Sequence, residues 1–187
     1  MDNQELIFEI EAEAEIAKKT IEKEIKQYVQ KLKYINLDGF SVQLPILCGV
    51  RPRPFVDQYI DELKKLCIVW EESFKHHIYA VVEKKRFFQY SEVKKASEKL
   101  LREDLFTIYM MQPSEPILDF DKMKKDVQST TPALFHIPVV AAAQIKRFCE
   151  INFQASVAAK EDEISNKAIE YVHKKIDRVL EIAKEDL

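Results

Sequence analysis

Glycine is nearly missing from this sequence: Gly39 and Gly49 are the only two in 187 residues, where an average chain of that length would carry about 7%. Phosphate-cradling loops, dinucleotide folds and tight hairpins need glycine wherever the backbone turns to positive φ or approaches a ligand closely. Gly39 and Gly49 alone leave neither a P-loop nor a dinucleotide fingerprint and little room for tight β-turns. An excess of positive charge is missing too. Lys and Arg total 29 against 32 Asp and Glu, for a net charge of −3, with both signs scattered along the chain. Nucleic-acid binding, whose affinity comes largely from phosphate contacts, is therefore not expected.

A membrane span is lacking as well. The longest uncharged run, residues 127–145, holds Gln128, Ser129, Thr130, Thr131, His136 and Gln144 together with Pro132 and Pro138. A spanning helix is mostly apolar and satisfies its own backbone, so this run reads as a turn leading into a buried helix. The acidic stretch before Lys18 is unlike a secretory signal or transit peptide, and Asp2 stands where myristoylation needs glycine. The cysteines, Cys48, Cys67 and Cys149, are odd in number and far apart, a pattern expected of reduced thiols in the cytoplasm.

What the sequence does contain is helical periodicity. Leu6, Ile10, Ala14, Ala17, Ile21, Ile25, Tyr28, Leu32 and Ile35 recur every three or four residues, predicting one helix over residues 3–35. Acids occupy its first half (Asp2, Glu5, Glu9, Glu11, Glu13, Glu15) and lysines its second, in the order that complements the helix dipole. Asp38-Gly39 and the prolines at 45, 52 and 54 then break the pattern. The apolar connector from Gly39 to Gly49 is expected to dock on the helices. A second helix is predicted from about Phe55 to Lys85, with Val56, Tyr59, Ile60, Leu63, Leu66, Cys67, Trp70, Phe74, Ile78 and Val81 on one face. Ser91 is a candidate N-cap for a third helix to about Met111. A short helix is expected within Asp119–Gln128. After Pro138 no proline or glycine occurs, so the remainder reads as one very long helix or as two, broken near Glu161-Asp162. The fold class is all-α, a single domain over residues 1–187 built as an elongated antiparallel bundle of about four long helices, with Pro-rich connectors at about 36–54 and 112–118.

No catalytic constellation emerges. His76 and His77 are adjacent, about 100° apart on a helix, and do not share one ion comfortably. His136 and His173 are isolated, no Cys-x-x-Cys or His-Glu-x-x-His occurs, and no metal or cofactor is expected. Cys67 and Cys149 read as buried structural thiols. The acidic runs Glu71-Glu72 and Glu161-Asp162-Glu163 read as solvated helix faces. Lys84, Lys85, Arg86, Phe87 and Phe88 form the one basic-aromatic cluster. It is a candidate contact for anionic lipid; the alternative is a helix end whose phenylalanines fold back into the core. Besides its main stripe the second helix carries Ile68, Val69, Tyr79 and Val82, which widen its apolar arc and form the candidate interaction surface.

The order of elements resembles the stalk of dynamin-superfamily proteins, formed by their middle and GTPase-effector regions. Gly39-Phe40 followed by Leu44-Pro45, with Trp70 in the next helix, is similar to the Gly-aromatic-x-Leu-Pro passage of that family with two residues inserted. Ile145-Lys-Arg-Phe-Cys-Glu-Ile-Asn152 resembles the start of the effector region, and Leu180-Glu-Ile-Ala-Lys-Glu-Asp186 its close. The resemblance implies an antiparallel helical stalk that self-associates into dimers and filaments and couples assembly to a GTPase head and to membrane remodelling. The chain departs from the family in carrying no GTPase domain, so the resemblance implies an isolated stalk, excised or headless, that assembles without hydrolysing GTP.

Three functions therefore compete at this level. One is a non-enzymatic self-assembly module, a homo-oligomer formed first as a dimer. Another is a helical adaptor or regulator that binds a different protein through an apolar groove. The third, an enzyme built from scattered helix residues, is disfavoured by the long charged helices and the lack of glycine. The absence of a phosphate loop predicts that neither GTP nor ATP binds with micromolar affinity; isothermal calorimetry checks this, and a micromolar isotherm would overturn it.

Overall fold

The computed structural model describes residues 2–38, 53–103, 117–130 and 138–187. Helix accounts for 89% of them and no strand occurs among them, so the protein is all-α. The helices are α1 (Asn3–Leu32), α2 (Arg53–Glu83), α3 (Ser91–Glu103), α4 (Phe120–Thr130), α5 (Pro138–Ala159) and α6 (Glu161–Glu185), with a 3₁₀ turn at Arg86–Gln89. Where about four long helices were expected, the described residues form six helices. Four have 22 residues or more, while α3 and α4 have 13 and 11. The connector from Gly39 to Gly49, the chain after Glu103 as far as Pro116, and the Pro132 turn lie outside the described residues.

Local chemistry explains where the helices start and stop. The Asp2 amide donates to Glu5 Oε2 at 3.3 Å, one half of a capping box. The last carbonyls of α1 are taken up by i→i+3 bonds from Lys33, Tyr34 and Ile35, so the helix tightens and ends at Leu32, short of the expected residue 35. Pro54 falls in the first turn of α2, where a missing N–H costs nothing. Asp119 caps α4 by accepting from the Lys122 amide at 2.9 Å. Ser91 does not cap α3: its hydroxyl donates to Glu92 instead, and the Lys94 amide already bonds the Tyr90 carbonyl at 2.8 Å. The break between α5 and α6 falls at Lys160, whose amide donates to Val157. Glu161, Asp162 and Glu163 then fill the first turn of α6, where acids are favoured.

The chain divides into two compact units. The first comprises residues 1–29, 70–108 and 162–187. Its core is the α1 stripe Ile10, Ala14, Ala17, Ile21, Ile25 and Val29 with Phe74, Ile78 and Val82 of α2, Phe87 and Phe88 of the 3₁₀ turn, and Val93 and Ala96 of α3. From α6 come Ile164, Ala168, Val172, Ile176, Val179 and Ala183. Polar pairs fix helix direction here. Asn3 reaches the Leu187 carbonyl, Glu11 pairs with Lys184 and Lys18 with Asp177 at 2.5 Å, so α1 and α6 run antiparallel. Burial would lower the Lys18 pKa, but its bonds to Asp177 and Glu15 outweigh that and hold it above the ordinary lysine value. Glu24 meets His77 and Glu13 meets Arg86, which sets α1 antiparallel to the end of α2 as well.

The second unit comprises residues 30–69 and 109–161. Its described core holds Leu32, Leu37, Phe55, Val56, Tyr59, Ile60, Leu63 and Cys67, with Ile117, Leu118, Met123 and Val127. Ala141, Ala142, Ile145, Cys149, Phe153 and Val157 of α5 complete it. Lys124 of α4 pairs with Asp57 of α2 at 2.7 Å. The chain leaving α1 is laced along α5: Lys33 to Glu161, the Ile35 carbonyl to Gln154 at 2.8 Å, the Leu37 amide to Glu150 and Asp38 to Lys146. The three residue steps from Ile35 to Asp38 cover about 10 Å when extended. The eight helical steps from Lys146 to Gln154 cover about 12 Å. The two runs therefore stay in step.

Phe74 is fully buried against the rings of Tyr28 and Trp70, at centroid distances of 4.8 and 5.1 Å. Phe74→Ala should cost about 3–5 kcal/mol, whereas Ile151→Ala at an exposed position should change stability by less than about 0.5 kcal/mol. Urea denaturation of the two variants checks the contrast.

Candidate functional site

The second half of α2 keeps its apolar side chains four residues apart, at Phe74, Ile78 and Val82. Four residues overshoot one 3.6-residue turn, so the stripe drifts round the helix and ends at Val82 instead of Val81. This places the expected interaction residues differently from one another. Ile68 and Val69 are exposed at 52% and 62%, Tyr79 is half-buried, and Val82 is in the core at 1%. Val82 is thus removed from the candidate surface, and Ile68 and Val69 are its clearly outward members.

The basic-aromatic cluster divides in a similar way. α2 ends at Glu83, so Lys84, Lys85 and Arg86 follow the helix instead of filling its last turn. The 3₁₀ turn then rotates Phe87 and Phe88 inward, where both are buried with their rings edge to face at 4.8 Å. The alternative reading of a helix end folding back into the core describes these two phenylalanines. A lipid contact by Phe87 and Phe88 is corrected accordingly, and Arg86 is drawn toward Glu13 at 3.6 Å and Glu9 at 4.0 Å.

The largest outward apolar group on α1 was not legible as a surface feature from the charge pattern. Phe8 is 72% exposed and Ile16 56%, with the exposed Ala12 between them. Their spacing of four residues on the side opposite the core stripe was the available signal. Tyr34, Val140 and Ile151 are further exposed apolar side chains.

Inside the first unit, α1 and α2 bring together an aromatic group. Trp70 stacks on Phe74 with planes 12° apart, Tyr28 touches Trp70 at 5.6 Å and His77 at 5.1 Å, and His77 Nε2 lies 3.1 Å from Glu24 Oε2. Glu24 and His77 orient one another, and the Tyr28 ring lies against His77. A cavity of about 360 Å³ between the end of α2 and α3 is lined by Tyr79, Val82, Phe88, Lys94, Ser97 and Glu98, among others. Ser97 there donates its hydroxyl to the Lys94 carbonyl one turn back at 2.9 Å, a bond internal to the helix and not a nucleophile–base pair. Among the described residues no three His, Cys, Asp or Glu side chains gather to hold a metal ion. No helix among the described residues is long and apolar enough to cross a membrane.

Cys67 and Cys149 are buried in the core; Cys48 and His136 lie outside the described residues. Burial, with some repulsion from Glu150, pushes the Cys149 thiol up to about 12. No protein-family model, curated protein or solved structure matches the chain.

The Cys149 shift carries a pH prediction. The native state keeps this proton until about pH 12, whereas the unfolded chain releases it near 9.0. The native state then binds more protons than the unfolded state between those values, so stability falls as pH rises through that window. Tyr59 and Lys18, both raised, act in the same direction at higher pH. Urea midpoints measured from pH 7 to 11 should fall above about pH 9 by of order 1 kcal/mol per pH unit. In Cys149→Ala the fall should be shallower from a lower starting stability. Equal slopes would refute the assignment.

Proposed function

We propose that this chain is a non-catalytic helical self-assembly module of the dynamin-stalk type, an elongated antiparallel bundle that forms a homodimer before any larger oligomer. The observation that carries the reading is the outward apolar side chains. Phe8, Ile16, Ile68 and Val69 stand on the solvent side of helices whose opposite faces are already buried. Contiguous exposed apolar patches mark interaction surfaces where they are large, and closed twofold pairing is the commonest way to cover them. Antiparallel runs of α1 with α6 and with the end of α2 support the stalk architecture. The absence of any nucleophile–base pair or phosphate loop in the reading of the sequence supports a role without catalysis. A cytoplasmic site of action, assembly coupled to a GTPase elsewhere, and peripheral membrane contact through Lys84 and Lys85 belong to the same proposal.

The second reading, an adaptor for another protein, is favoured by the cavity beside α3, where Tyr79, Val82 and Phe88 supply an apolar floor. The two readings separate by mass. Sedimentation equilibrium over roughly a hundredfold concentration range should show the mass rising from 22.0 kDa toward twice that value. A constant 22.0 kDa would overturn self-assembly.

A further inference from the structure

We propose that a second copy of this chain docks on the outer face of α1, antiparallel and twofold-symmetric, with residue i of one copy level with residue 28 − i of the other. The proposal rests on the self-assembly reading and names its surface. At 100° per residue Glu5, Phe8, Glu9, Ala12, Ile16, Lys19 and Lys23 fall within an arc of about 100°, centred opposite the buried stripe from Ile10 to Leu32. Along that arc the order is acid, apolar, base.

The helix dipole does not account for this order, because its influence fades within the first and last turns while the acids extend to Glu15 and the lysines begin at Lys18. Internal ion pairs do not use it up either. Glu11 pairs with Lys184, Glu13 with Arg86, Glu15 with Lys18 and Glu22 with Lys26. Among the described residues Glu9 has only Arg86 at 4.0 Å, and Glu5 accepts only the amide of Asp2. Lys19 and Lys23 have no ion-pair partner among the described residues. The charges left over are acids at one end of a single outward face and bases at the other.

A twofold mate is complementary to such a face. With the axis level with residue 14, Glu5 meets the second copy's Lys23 and Glu9 meets its Lys19, twice over by symmetry. Ala12 faces Ile16 of the other copy, a small side chain against a large one, and Phe8 lies over the aliphatic stems of the opposing lysines. A parallel arrangement would instead set acid against acid and base against base.

Two double variants test the register, because all four positions can be reversed in sign without touching the buried stripe. Glu5→Lys/Glu9→Lys makes the face wholly basic, and Lys19→Glu/Lys23→Glu makes it wholly acidic. Circular dichroism confirms that each is folded. At about 0.05 M salt, where surface charge is screened least, each variant alone should self-associate at least roughly tenfold more weakly than the parent chain. Their equimolar mixture should form a heterodimer at least as tight as the parent homodimer. If the parent dimerises and neither variant changes its dissociation constant, the α1 face is wrong while self-assembly stands. Weakening of both variants without rescue on mixing would overturn the antiparallel register. A parent chain that stays monomeric would overturn the proposal together with the reading beneath it.

Discussion

The buried stripe of α1 is the constraint on which the rest of this structure depends. From Ile10 to Leu32 one side chain per turn is withdrawn from water, and the same helix supplies residues to both compact units. Ala14 and Ala17 keep the stripe narrow where the antiparallel register brings it level with Val179 and Ala183 of α6. Small residues permit close approach of two helices, and the larger Ile21 and Ile25 further along are fully buried. Each fully buried aliphatic side chain of this kind contributes about 1.5–3 kcal/mol, so the stripe outweighs any other feature of the helix.

Polar groups decide how the apolar faces are matched. Exposed ion pairs contribute only about 0–1 kcal/mol each, and the pairs of Lys26 with Glu22 or Lys174 with Glu170 reinforce single helices. The pairs that join distant segments do something else. Glu11 with Lys184 and Lys18 with Asp177 select one register of α1 against α6. The ladder from Lys33 to Asp38 does the same for the chain leaving α1 against α5. An apolar stripe repeating every turn tolerates a slip of one turn. A slip that strands Glu150 from the Leu37 amide does not preserve the ladder.

Much of the fold was legible because it follows from period alone. The buried face of α1 coincides with the expected stripe at Ile10, Ala14, Ala17, Ile21 and Ile25. What period could not supply was rotation at the ends. Val29 is buried where Tyr28 was expected, because the Tyr28 ring turns sideways onto Trp70 and His77. Val82 is buried where Val81 was expected, because four-residue steps accumulate along α2. The 3₁₀ turn that carries Phe87 and Phe88 inward depends on where α2 stops, and neither proline nor glycine marks that point. Phe8 and Ile16 were missed for a different reason: among so many acids and lysines, two large apolar residues on the far side of a helix do not disturb its amphipathic pattern.

The two faces of α1 lie about half a turn apart, and this separates two properties that a compact protein usually couples. The inner face is aliphatic, dry and continuous over six turns, so it governs whether the unit folds. The outer face is a short apolar patch between unspent charges, so little apolar surface is available there and association through it would be weak, reversible and sensitive to salt. Substitutions on one arc leave the other untouched because no side chain belongs to both. An assembly module benefits from that division. In the proposed dimer, pairing strength would be set by Glu5, Glu9, Lys19 and Lys23 independently of the stripe from Ile10 to Leu32.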